Sequence, residues 1–185
     1  MNVNLTQKEK QMLEDQKTHE QTCIQKYNKY ANETSCQQLK GIFQNNGKIE
    51  QEHLNTINQL LSGQVPQMNQ QGGGQQQGQQ GGQQQGQQQQ SMQQQRHQFW
   101  ENQQNQQQMS SSTKSNSQNY NQQDKDLCTD MLMTEKFVSG AYDTAIFEFK
   151  DPQVRSVLNH IQKEEQQHGE AIYKYMESKG MYQAK

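Results

Sequence analysis

Two stretches of the chain place a histidine three residues after a glutamate: Glu50-Gln-Glu-His53 and Glu165-Gln-Gln-His168. On a helix, positions i and i+3 project from one face, so each pair would aim a carboxylate and an imidazole at one point. A lone glutamate stands 30 residues ahead of each pair, Glu20 before Glu50 and Glu135 before Glu165. One shift of 115 positions carries Glu20 onto Glu135, Glu50 onto Glu165 and His53 onto His168. Oxygen and imidazole donors suit iron or manganese better than a thiolate set would. The six residues Glu20, Glu50, His53, Glu135, Glu165 and His168 are therefore candidate ligands of a dinuclear Fe or Mn centre. No residue is assigned a catalytic role.

The register of these residues points inward. Glu20 lies seven positions from both Leu13 and Tyr27, Glu50 from Phe43 and Ile57, Glu165 from Leu158 and Ile172, and His168 from Ile161 and Tyr175. Four carboxylates in an apolar core lose hydration and repel one another, a cost met either by protonation or by divalent cations. Tyr27 and Tyr142, equivalent under the same shift, sit two turns beyond Glu20 and Glu135. Their phenols could donate to ligand carboxylates as supporting groups, or pack as ordinary core aromatics.

Four helices must position these groups. Thr6 and Glu9 form a capping box that opens a first helix, and a second opens at Thr34 or Ser35 and stops at Gly63. A third starts near Asp124, and Asp151-Pro152 supplies an N-cap and a first-turn proline for a fourth, which ends at Gly180. Short loops make each pair an antiparallel hairpin. The expected division is a first hairpin over 1–63, a disordered Gln/Asn/Gly-rich crossover over 64–123, and a second hairpin over 124–185, the two hairpins forming one four-helix bundle. Helices of about 28 residues are roughly 40 Å long, and a flexible crossover of about 60 residues reaches roughly that far. A glutamate from each of two helices with Glu-x-x-His from each of the other two, around one long crossover, is the ferritin-like all-α plan.

Composition bounds the rest. Only 28% of the 185 residues are hydrophobic, and the net charge is −2, without the basic patch that nucleic acid or an anionic membrane surface would require. No signal peptide or membrane-length apolar run is expected, so synthesis is expected in a cytoplasm. Cys23, Cys36 and Cys128 form no even set and no Cys-x-x-Cys pair, which favours buried thiols.

The second half, from Asp126-Leu-Cys to Gly180-Met-Tyr182, resembles the coat F domain of the spore coat protein F family. The matching features are Leu132 and Lys136, the Ala141-Tyr-Asp143 run, Asp151-Pro-Gln-Val-Arg155, the Glu164-Glu-Gln-Gln-His168 run and the Gly180-Met-Tyr182 ending. The resemblance implies a ferritin-like bundle in the endospore coat, made in the mother-cell cytoplasm, with other coat proteins as partners and self-association possible. It leaves nucleic acid and membrane aside. The six candidate ligands also resemble the site of rubrerythrin and related ferritin-like oxidases. Two departures stand out: the electron-delivering Cys-x-x-Cys is missing, and Val138 occupies a position where such sites often carry another carboxylate. The expected function is a structural spore coat component that retains a dinuclear site. The alternative is a di-iron or di-manganese peroxidase, oxidase or catalase-like enzyme that protects the spore. The Gln-rich tract would serve as an adhesive or cross-linkable loop, or as an inert spacer.

Overall fold

A computed structural model describes residues 2–66 and 120–182. Most of the expected crossover, residues 67–119, lies outside the described residues, and so does its expected disorder. The described residues form four long helices: α1 (Gln7–Glu33), α2 (Gln37–Leu61), α3 (Gln122–Glu148) and α4 (Pro152–Ser178). Together they make one compact all-α bundle. None of the four is long and apolar enough to cross a membrane.

The helix ends follow from local chemistry. Thr6 accepts from the Glu9 amide while the Glu9 carboxylate accepts from Thr6 N, which closes both halves of the capping box. Asp151 Oδ1 accepts from the amides of Gln153 and Val154, and Pro152 takes the first turn, where an N–H would be unsatisfied anyway. Gly63 and Gly180 adopt positive φ, 81° and 72°, as residues that end a helix in the left-handed region do. The opening of α2 differs from expectation: Cys36, not Thr34 or Ser35, is its N-cap. Thr34 Oγ1 accepts from the Cys36 amide at 3.1 Å and donates to Asp124 at 2.6 Å, so its hydroxyl brackets the α1–α2 loop instead. Arg155 likewise turns back to donate to the carbonyls of Phe149 and Lys150, both at 2.8 Å, and closes the α3–α4 loop.

Long-range contacts fix the directions of the helices. Within each hairpin the helices run antiparallel. Between hairpins, α1 meets α3 through Lys26–Asp130 and Thr34–Asp124 near one end, and through Glu9 Oε1 with the Lys150 amide at the other. Rising numbers on α1 thus face falling numbers on α3. The pairs His53–Glu164 and Glu50–His168 give α2 and α4 the same antiparallel relation. The chain leaves α2 beside its own start, where Val3 N donates to Gly63 O at 2.8 Å, and re-enters α3 beside Thr34. These points lie at opposite ends of α1, about 40 Å apart at 1.5 Å per residue. The exit from α2 and the entry to α3 thus lie at opposite ends of the bundle, as they do in a bundle with one long crossover.

The core is a continuous seam of apolar side chains. Leu13, Tyr27, Leu39, Ile42, Phe43, Ile57 and Leu60 fill the first hairpin; Met131, Tyr142, Leu158, Ile161 and Ile172 fill the second. At Gly47, where α1 and α2 cross, a Cβ would lie 3.1 Å from Tyr27 Cβ, so the absence of a side chain sets how close the helices come.

Candidate metal centre

The six residues singled out from the sequence all lie within this seam. Glu20, Glu50, Glu165 and His168 are fully buried, and Glu135 and His53 nearly so. They gather into two overlapping groups: Glu20, Glu50, His53 and Glu165 in one, Glu50, Glu135, Glu165 and His168 in the other. Within each group the facing donor atoms lie within 4.8 Å of one another. Glu50 and Glu165 belong to both. Each group takes residues from both hairpins, because the antiparallel pairing of α2 with α4 brings the two Glu-x-x-His turns to one level.

Both histidines present Nδ1 to the cluster. His53 Nδ1 lies 2.9 Å from Glu165 Oε1, 3.3 Å from Glu50 Oε2 and 3.5 Å from Glu20 Oε2. His168 Nδ1 lies 2.9 Å from Glu50 Oε1, 3.7 Å from Glu165 Oε2 and 3.8 Å from Glu135 Oε2. The imidazoles stack with centroids 5.8 Å apart. The tyrosines exchange hairpins: Tyr27 donates to Glu135 and Tyr142 donates to Glu20. Tyr27 stands two turns, about 11 Å, from Glu20 along its own helix, whereas antiparallel α3 brings Glu135 level with it. Asn46 Nδ2 donates to the Tyr27 hydroxyl at 3.1 Å, and His53 Nε2 lies 2.9 Å from Glu164 Oε2.

Neither Asn46 nor Glu164 was identified from the sequence. A signal existed for each. Asn46 falls in the seven-residue series Leu39, Asn46, His53, Leu60, and Glu164 falls between Ile161 and His168 on the inward stripe of α4. Among the other described histidines, His19 and His160 belong to neither donor group. His19 Nδ1 lies 3.2 Å from Gln16 and its ring meets Phe137 edge-on, while His160 Nε2 lies 3.5 Å from Glu164.

Protons balance the charges of the cluster in the protein alone. Burial, and then the charge of neighbouring carboxylates, pushes Glu20 and Glu135 well above the usual carboxylate range. Burial also opposes ionisation of Glu50, but His168 and His53 outweigh it and hold Glu50 low. Glu165 is held low by the same two imidazoles against burial and the charge of Glu50. The carboxylates overcome the burial of the histidines, raising His53 well above its ordinary value and His168 to about 9. The shifts run together toward charge balance: protons are favoured on Glu20, Glu135 and both imidazoles and disfavoured on Glu50 and Glu165. Four carboxylates would equally balance two divalent cations.

The donor set fits such cations. Glu20 Oε2, Glu135 Oε2, Glu165 Oε2 and His168 Nε2 are buried with no hydrogen-bond partner among the described residues. Buried polar atoms are ordinarily paired, so three orphaned carboxylate oxygens around one seam indicate room for further acceptor interactions. The lateral boundary is less closed. A cleft of about 670 Å³ between α3 and α4 is lined by Glu135 and Glu165 together with Gly140 and Gly169.

No curated protein and no solved structure matches the chain. Residues 123–185, the whole second hairpin, match the family model of the Coat F domain. The match covers α3 and α4 and contains Glu135, Glu165, His168 and Tyr142. Over those residues the chain is similar to the Coat F domain of spore coat proteins.

Proposed function

We propose that this chain is a structural component of the bacterial endospore coat, with a ferritin-like bundle that holds a dinuclear Fe or Mn centre. The Coat F domain supports the coat role, with other coat proteins and further copies of the chain as neighbours. The observation that carries the metal reading is the pair of overlapping buried donor groups that share Glu50 and Glu165. Carboxylates common to both groups would let one pair of side chains neutralise two closely spaced cations. Glu20 and His53 complete the first position; Glu135 and His168 complete the second. Tyr27 and Tyr142 orient Glu135 and Glu20 by hydrogen bonding, and so fix which oxygen faces the cluster.

A second reading, protective peroxide or oxygen chemistry, is favoured by the cleft that reaches Glu135 and Glu165. A bound iron or manganese pair would supply redox and Lewis-acid chemistry toward such small oxidants. The protein's part is to bury the carboxylates, shield them from bulk water and leave a lateral approach between α3 and α4.

Elemental analysis of the full chain after loading with Fe(II) or Mn(II), beside the Glu50→Ala/His168→Ala variant, tests the proposal. About two metal ions per chain, lost in the variant, is the expected result. Equal metal in both proteins, or none in either, would leave a purely structural coat protein. Peroxide consumption by the loaded chain but not by the variant would favour the second reading.

A further inference from the structure

We infer that the two metal positions are unequal: the position at His53 retains its cation, and the position at His168 exchanges its cation through the cleft between α3 and α4. This inference rests on the dinuclear reading above. It comes from two places where the otherwise repeated halves of the chain depart from each other.

The first departure lies behind the histidines. His53 Nε2 lies 2.9 Å from the Glu164 carboxylate. With the ring N–H donated there, Nδ1 keeps its lone pair toward the cluster. Such carboxylate–histidine pairs fix the tautomer, hold the ring and make the ligating nitrogen more basic. The residue equivalent to Glu164 on the other half, 115 positions earlier, is Ile49. An alkyl side chain can accept no hydrogen bond, and His168 Nε2 is buried without a partner among the described residues. One imidazole is therefore oriented by a buried carboxylate, and the other only by packing and its cluster contacts.

The second departure concerns access. Gly140 and Gly169 line the cleft; their equivalents on the first hairpin are Gln25 and Leu54. A Cβ at Gly169 would meet Glu135 Cβ and Leu132 Cδ1 at 3.7 Å, ordinary contact distances, so a larger side chain there would extend into the cleft. Of the six candidate ligands, Glu135 and Glu165 line the cleft; Glu165 is common to both groups, and Glu135 belongs to the His168 group alone. The less firmly held position is thus the one that the cleft reaches.

Titration of the chelator-stripped full chain with Mn(II) alone, following free Mn(II) by its electron paramagnetic resonance signal, tests this. The expected wild-type isotherm has one equivalent bound at least about 10-fold more tightly than the other. Glu164→Gln should weaken the tight equivalent by about 10- to 100-fold, as loss of a supporting carboxylate does elsewhere. Gly169→Leu should slow uptake of the weaker equivalent while leaving the final stoichiometry unchanged. Gly140→Leu, whose Cβ meets nothing within 4 Å, makes the same test with less crowding. Two equivalents of one affinity, or unequal ones unmoved by Glu164→Gln, would overturn the inference and leave the dinuclear reading standing. No bound Mn(II) would overturn both.

Discussion

Tyr27 and Tyr142 occupy equivalent places, yet they carry different burdens. Each donates to a glutamate of the opposite hairpin, but only Tyr27 also accepts, from Asn46. Removing a hydrogen-bond partner from a buried polar group costs about 1–3 kcal/mol. Tyr142→Phe strips one partner from Glu20; Tyr27→Phe strips one from Glu135 and another from the fully buried Asn46. Denaturant unfolding of the two variants should therefore show the larger loss for Tyr27→Phe, by about 1 kcal/mol or more. Equal losses would mean that the Asn46 bond contributes nothing. The six candidate ligands that the fold gathers were legible in the sequence because the Glu-x-x-His spacing is local to a helix turn. Their supporting partners were not, because Glu135 meets Tyr27 and Glu164 meets His53 only after the hairpins have chosen their neighbours.

The helices themselves were more legible than their contacts. The capping box at Thr6, the Asp151-Pro152 start and the two terminal glycines are local devices, and each sits where the sequence places it. The start of α2 was misplaced because Thr34 has a partner, Asp124, on a different hairpin. Glycines inside α2 carry tertiary information of the same kind. A Cβ added at Gly41 would meet nothing within 4 Å, whereas at Gly47 that atom would lie 3.1 Å from Tyr27 Cβ. Helix propensity alone favours alanine over glycine by about 1 kcal/mol. Thermal or denaturant unfolding should show that gain for Gly41→Ala, and a smaller gain or a loss for Gly47→Ala. Equal stabilisation by both would show that the α1–α2 crossing relaxes freely around Gly47.

The whole molecule completes what neither hairpin holds alone. The Coat F domain contributes Glu135, Glu165 and His168, and the first hairpin contributes Glu20, Glu50 and His53, so each donor group mixes the two. The near-repeat by 115 positions made that pairing readable, while the inequality of the halves emerged only where Glu164 faces His53 and Ile49 offers His168 nothing. Anomalous X-ray diffraction at the Fe or Mn absorption edge, from crystals of the loaded full chain, tests the central claim most directly. Two peaks about 3.5–4 Å apart, with Glu50 and Glu165 reaching both, are the predicted result. Glutamates still bonded to histidines around an empty seam, or metal bound only at the surface, would contradict it.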